Sequence, residues 1–335
     1  MPVSETVYAY AVGRIRVLET RLLDKSKLER MVEAPTVDEA LKVLAETDYA
    51  NMVAELDSVY EFEKILQEEI RRTYQLVQKI NPEAHLTDLI SLKYDLHNLK
   101  VLLKAKYLNE DGDTLLFPVG TIPLDKLRAI VAEENFQELP AALRAAVEQI
   151  MEEFVVSGDP QIIDLSLDRT LYAMLISAAR ELRSTVLEGL FVREADLTNI
   201  KTFLRVKRMG RDKEFLKKAF LPYGRLPADL FINLLDEPLE FLADRLAMSD
   251  YAAVVSEGVR EWQEKGNITN FEKLADDLLT AYLQQGKRKP FSLDPLVGYL
   301  HAKEIEIKNI RAILVGKING LPIEAIRERL RNVYV

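Results

Sequence analysis

Three stretches of this chain repeat one pattern, and that repetition limits the possible folds more than any other feature. Residues 94–108 read YDLHNLKVLLKAKYL, residues 194–210 read EADLTNIKTFLRVKRMG and residues 304–320 read EIEIKNIRAILVGKING. Each copy carries an acid (Asp95, Asp196, Glu306) and, three residues later, an asparagine (Asn98, Asn199, Asn309). A branched aliphatic follows (Leu99, Ile200, Ile310), then a base (Lys100, Lys201, Arg311), a leucine (Leu103, Leu204, Leu314) and a closing lysine (Lys106, Lys207, Lys317). Successive copies lie about a hundred residues apart, longer than the period of two-helix solenoids, so each unit holds several helices.

The sequence after each copy echoes as well. A loop leads to Gly120-Thr121-Ile122-Pro123 in the first and to Gly224-Arg225-Leu226-Pro227 in the second, each opening an amphipathic stretch. Proline suits a helix start, because the first turn has no partner for the N–H that proline lacks. The third copy runs into the shorter Gly320-Leu321-Pro322, which reads as the start of a fourth unit cut short. Thr47-Asp48-Tyr49-Ala50 is answered by Ser249-Asp250-Tyr251-Ala252.

Between these landmarks apolar residues recur every three or four positions, as in Leu167, Leu171, Leu175, Ala178, Leu182 and Val186, or Leu274, Leu278 and Tyr282. No sustained alternation competes with this helical period, so the fold class is all-α. The repeats divide the chain into an N-terminal helix over 1–21 and helical units over 22–110, 111–211 and 212–319. A C-terminal helix over 320–335 is expected to pack back on the units. Three units can close into a ring or stay open, and spacing alone does not choose.

On a helix the acid and the asparagine stand one turn apart on the same side, with the leucines beside them. Asp95, Asn98, Asp196, Asn199, Glu306 and Asn309 are read as a structural polar network where units meet, since buried polar groups need hydrogen-bond partners. A ligand site used three times is the less favoured alternative. The closing lysines fall near helix C-termini, where the dipole favours positive charge. The basic run from Lys201 to Lys218 reads as a solvated face.

Composition excludes other classes. Net charge is −9, which argues against nucleic acid as ligand, because phosphate binding draws on a surplus of Lys and Arg. The chain has no cysteine, which removes disulfides, thiolate catalysis and Cys-ligated metals and suits a reducing cytoplasm. His85, His97 and His301 show no metal-ligand spacing, and no phosphate loop or nucleophile elbow occurs. Asp276-Asp277 lacks the third aspartate of the magnesium motifs of all-α isoprenoid enzymes, and Trp262 is expected to pack under a helix. The N-terminus carries no secretory pattern, and the longest apolar run, Leu171 to Ala179, is far short of the ~20 residues that span a bilayer. No catalytic, cofactor-binding or metal-binding residue is assigned.

The run DLHNLKVLLKAK, with its echoes NIKTFLRVK and NIRAILVGK, resembles the C subunit of the V-type (archaeal/vacuolar-type) ATPase or ATP synthase, whose eukaryotic counterpart is the d subunit. The opening YAYAVGRIRVLETRLL from Tyr8 to Leu23 and the close from Asp294 to Leu330 are similar to the same family, so the resemblance spans the chain. Val315 stands where the other copies carry Lys104 and Arg205, which leaves the three rims less alike in charge. The resemblance implies three pseudo-symmetric helical units arranged as a funnel, without enzymatic activity or cofactor. It also implies a central-stalk socket of a rotary ATPase or ATP synthase. Such a socket receives the D and F subunits of the central shaft, sits on the cytoplasmic face of the membrane rotor ring of proteolipid subunits, and passes torque between them. A generic helical-repeat scaffold for another complex is the rival reading.

Overall fold

The computed structural model describes residues 7–83 and 85–335. Among them are seventeen α-helices and no strand, in agreement with the helical periodicity. Residues 1–6, part of the expected N-terminal helix, lie outside the described set.

The chain forms two compact bodies, one of residues up to 83 together with 237–335 and one of residues 84–236. The first begins with α1 (Tyr8–Glu19), α2 (Lys25–Glu33), α3 (Val37–Leu44), α4 (Ala50–Ala54) and α5 (Phe62–Ile80). The second holds α6 (Leu86–Leu108), α7 (Leu124–Glu133), α8 (Ala141–Ser157), α9 (Gln161–Glu181), α10 (Thr185–Arg208), α11 (Lys213–Ala219) and α12 (Ala228–Leu234). The chain then returns to the first body with α13 (Glu240–Leu246), α14 (Ala252–Lys265), α15 (Thr269–Gln284), α16 (Asp294–Ile318) and α17 (Ile323–Arg327).

Helix limits follow from local chemistry. Asp24, Thr36, Ser184 and Asp212 each accept a hydrogen bond from the backbone N–H three residues on, which satisfies a donor the first turn leaves open. The apolar series Leu167 to Val186 crosses one such limit. Arg183 takes a left-handed φ of 51° and Ser184 caps a new helix, so the series is shared between α9 and α10. The C-terminal stretch is helical only over its five-residue α17.

In the second body α9 packs against α6, α8 and α10. Leu96, Leu99 and Leu103 of α6, Leu127 and Ile130 of α7, Leu143 and Val147 of α8 and Ile163 and Leu167 of α9 form one buried cluster. Each such side chain contributes about 1.5–3 kcal/mol by leaving water. In the first body α16 is the central element, packed against α1, α2, α3, α5 and α15, and it buries residues around much of its circumference. The facing side of α5 buries Ile65, Leu66, Glu69, Ile70, Thr73, Tyr74 and Val77, an amphipathic stripe with one acid in it.

Candidate functional site

The three repeated runs form α6, α10 and α16, and their asparagines do the same thing each time. Asn98 donates from Nδ2 to Phe117 O and accepts from Phe117 N at Oδ1, both at 2.8 Å. Asn199 pairs with Leu221 in the same two-bond fashion at 2.9 and 2.8 Å, and Asn309 with Arg331 at 3.0 and 2.8 Å. All three side chains are buried. A carboxamide has one acceptor and one donor side, so it matches a single residue's backbone N–H and C=O as a neighbouring strand would. Only asparagine or glutamine offers that pairing.

The acids hold the turn that enters the next helix. Asp95 accepts from Thr121 N and Ile122 N at 2.9 Å each, and from the Thr121 hydroxyl at 2.7 Å. Asp196 accepts from Arg225 N at 3.1 Å and Leu226 N at 2.9 Å. A Cβ at Gly120 or Gly224 would stand under 3.0 Å from these carboxylates, so both glycines are there to let the acid in. Burial pushes the Asp95 carboxyl up, and the N–H and hydroxyl bonds it accepts only partly offset that.

The lysines bind further along. Lys106 Nζ donates to Val131 O at 2.9 Å and Lys207 Nζ to Leu235 O at 2.7 Å. These are carbonyls at the C-terminal ends of α7 and α12, which lack intrahelical partners. Each lysine sits in the last turn of its own helix, as expected, and its hydrogen bonds reach the end of the short helix packed alongside.

In the third copy a helix, α17, does begin after Gly320-Leu321-Pro322, but Glu306 and Lys317 grip a different one. Gly320 has φ of 64° and open space around its Cβ position, like Gly210 at the end of the second copy and unlike Gly120 and Gly224. Glu306 Oε2 instead accepts from Leu23 N at 2.5 Å, and Lys317 Nζ donates to Val32 O at 2.9 Å and also to Ala34 O. The register is the same in all three. The helix starts two residues after the captured N–H, at Leu124, Ala228 and Lys25. The lysine-bound carbonyl lies nine residues after it, at Val131, Leu235 and Val32. Helix α2 therefore does for α16 what α7 does for α6 and α12 for α10. The segment that follows α17 completes only the asparagine pair, through Arg331.

This third clamp also gathers a cluster of buried side chains. Lys303 Nζ lies 2.7 Å from Glu306 Oε1 and 2.7 Å from Glu69 Oε1, and all three side chains are buried. The Tyr49 hydroxyl donates to Glu306 Oε1 at 2.7 Å, Arg72 reaches Glu69 at 2.8 Å, and Lys303 sits 5.1 Å over the Tyr49 ring. Burial alone lowers a lysine, yet Glu306 and Glu69 hold Lys303 above its ordinary value. Sequence reasoning singled out Glu306, noted Tyr49 only within an echoed stretch without a role, and missed Lys303 and Glu69. The echo of Thr47–Ala50 at Ser249–Ala252 was the available signal. In both places the hydroxyl bonds a carbonyl three residues back, at 2.6 and 2.7 Å, and the tyrosine two residues on is buried.

Other residues raised by the sequence are engaged locally. Asp276 meets Lys308 at 2.7 Å and Arg331 at 3.0 Å; burial opposes its charge, but the two cations hold its carboxyl below the usual range. Asp277 accepts from Asn332 N at 2.6 Å. His97 meets Leu115 O at 2.8 Å, His301 meets the Thr280 hydroxyl at 3.0 Å, and His85 lies 3.7 Å from Asp88. Trp262 is half-buried on α14. The basic run spans the end of α10 and α11, with Lys213 on Asp236 and Lys217 on Glu214. Among the described residues no group of three or more His, Cys, Asp or Glu is placed to hold a metal, and no helix is long and apolar enough to cross a membrane.

The profile of the ATP synthase (C/AC39) subunit family matches residues 11–329. The chain is 31% identical to the C subunit of the A-type ATP synthase of Methanocaldococcus jannaschii, over 96% of this chain and 86% of that protein. It is 28% identical to the C subunit of the V-type sodium ATPase of Enterococcus hirae, over 96% of this chain and 97% of that protein. The chain belongs to the ATP synthase (C/AC39) subunit family.

Proposed function

We propose that this member of the family is the non-catalytic central-stalk socket of a rotary A- or V-type ATPase or ATP synthase. In this reading its helical units form a funnel that receives the D and F subunits of the shaft, seats on the membrane rotor ring of proteolipid subunits, and turns with both. It binds no cofactor or nucleic acid, and it meets the membrane only through the ring, on the cytoplasmic side.

The observation that carries the reading is what the repeated polar residues do. Both Asp95 oxygens, both Asp196 oxygens and both polar atoms of each asparagine are committed to backbone groups of the same chain. In this reading such groups stiffen the chain and do not meet a substrate. A body that passes torque must resist bending, and short-range clamps repeated along the chain supply that without long loops. The names of the relatives, subunits of an ATP synthase and of a sodium ATPase, give the machine in which such stiffness is useful.

Affinity purification of the full chain from membranes of its own cell tests this directly. Shaft and ring subunits should come with it, and a machine rebuilt without it should hydrolyse ATP while moving no ions. Purification with neither partner, or full transport in its absence, would refute the reading.

A further inference from the structure

Two of the three clamps close over short stretches of chain. Asp95 and Asp196 capture N–H groups 26 to 30 residues downstream, so the partner helix is tethered beside them by covalent linkage. The third clamp has no such tether. Glu306 and Leu23 are 283 residues apart, and Lys317 and Val32 are 285 apart. Between α2 and α16 there is a seam that only non-covalent contacts hold shut.

The clustered buried side chains lie at this seam. Glu306 joins Leu23 N to Tyr49, and Lys303 joins Glu306 to Glu69 of α5, so α16 is tied at one point to three separate N-terminal segments. At the position of Lys303, α6 has the apolar Leu92 and α10 has Arg193.

Burying two carboxylates and an ammonium costs desolvation, so such a cluster adds little net stability over apolar packing. Its well-attested use is to specify register, because sliding a helix by a turn would leave buried charges unpaired. We infer that Lys303, Glu69, Glu306 and Tyr49 form a clasp that fixes α2 in register on α16, closing the chain's N-terminal segment onto its third repeat. The clasp stands on geometry alone. Its purpose, keeping the seam from slipping under torque, rests on the socket reading above.

Amide hydrogen exchange on the isolated full-length chain tests the clasp without any partner. The variant Glu69→Gln/Lys303→Met/Glu306→Gln removes the charges at nearly constant volume. Exchange at Leu23 and in the first turn of α2 should rise at least tenfold, while the amides of Thr121, Ile122, Arg225 and Leu226 keep their rates as internal controls. Tyr49→Phe deletes one hydrogen bond and keeps the ring. It should raise exchange at Leu23 by about two- to tenfold and serves as the reading if the triple variant does not fold. Unchanged exchange at Leu23, or an equal rise at the control amides, overturns the clasp. In the rebuilt machine a folded clasp variant should move fewer ions per ATP. Loosened exchange with unaltered coupling would leave the clasp standing and refute its purpose, whereas failure to assemble with shaft and ring would count against the socket reading instead.

Discussion

The first two clamps and the third solve one geometric problem with different side chains. In α6 and α10 a short aspartate must come close to the turn it holds, and a glycine clears the way at Gly120 and Gly224. In α16 a glutamate, one methylene longer, reaches Leu23 from further off, and the residue two before Leu23 is Arg21, not glycine. Asp95 and Asp196 each accept two backbone N–H groups of the turn, while Glu306 accepts one and also meets Lys303 and Tyr49. The clamps differ in chain connectivity as well. Where the partner helix follows within about thirty residues its local concentration is high, and where it must return from the other end of the chain more specific contacts are needed.

The comparison breaks first at Lys303. Lys303→Met leaves Glu69 and Glu306 buried together without their shared cation, and thermal or urea unfolding should show a loss of about 3–5 kcal/mol. A loss below about 1 kcal/mol would mean that the third clamp is no more demanding than the others. Next come the glycines. Gly120→Ala and Gly224→Ala should each cost about 1–3 kcal/mol by driving a methyl into a carboxylate, whereas Arg21→Ala, at an exposed side chain, should change stability by less than about 0.5 kcal/mol. Equal effects at all three positions would erase the distinction between short and long acids.

Asn199→Leu and Asn309→Leu probe what the copies share. Each strands the backbone N–H and C=O of one residue, Leu221 or Arg331, so each should lose about 1–3 kcal/mol. A much smaller loss for Asn309→Leu would show the C-terminal segment to be replaceable. The smallest expected effect is at Asp276, whose pairing with Lys308 and Arg331 helps hold that segment. Its folded pKa is depressed, so its stabilisation is present above the ordinary aspartate value near 3.9 and is lost as pH falls through the folded value. Asp276→Asn should therefore unfold more easily than the parent at neutral pH, and the gap should narrow below about pH 4.

Much of this was legible in the residues. The helical class followed from periodicity, and the acid–asparagine pair marked the clamp helices because buried polar groups at fixed register require partners. The identity of those partners was not legible. The lysines at 106, 207 and 317 were legible as residues near helix ends but not as grips on a second helix, since spacing along one helix says nothing of the carbonyls another helix brings alongside. The break at Arg183–Ser184 was hidden by an apolar pattern that happens to continue through it.

By itself the sequence determined that one helical device is used three times, because carboxylate, carboxamide and ammonium groups carry their chemistry in their own side chains. Only the tertiary structure decided what the third device grips. A backbone N–H is offered by every residue except proline, so Leu23 bears no mark of its role. The glycine that flags the other two turns is unnecessary once the acid is longer, so the turn at Leu23 carries no such flag.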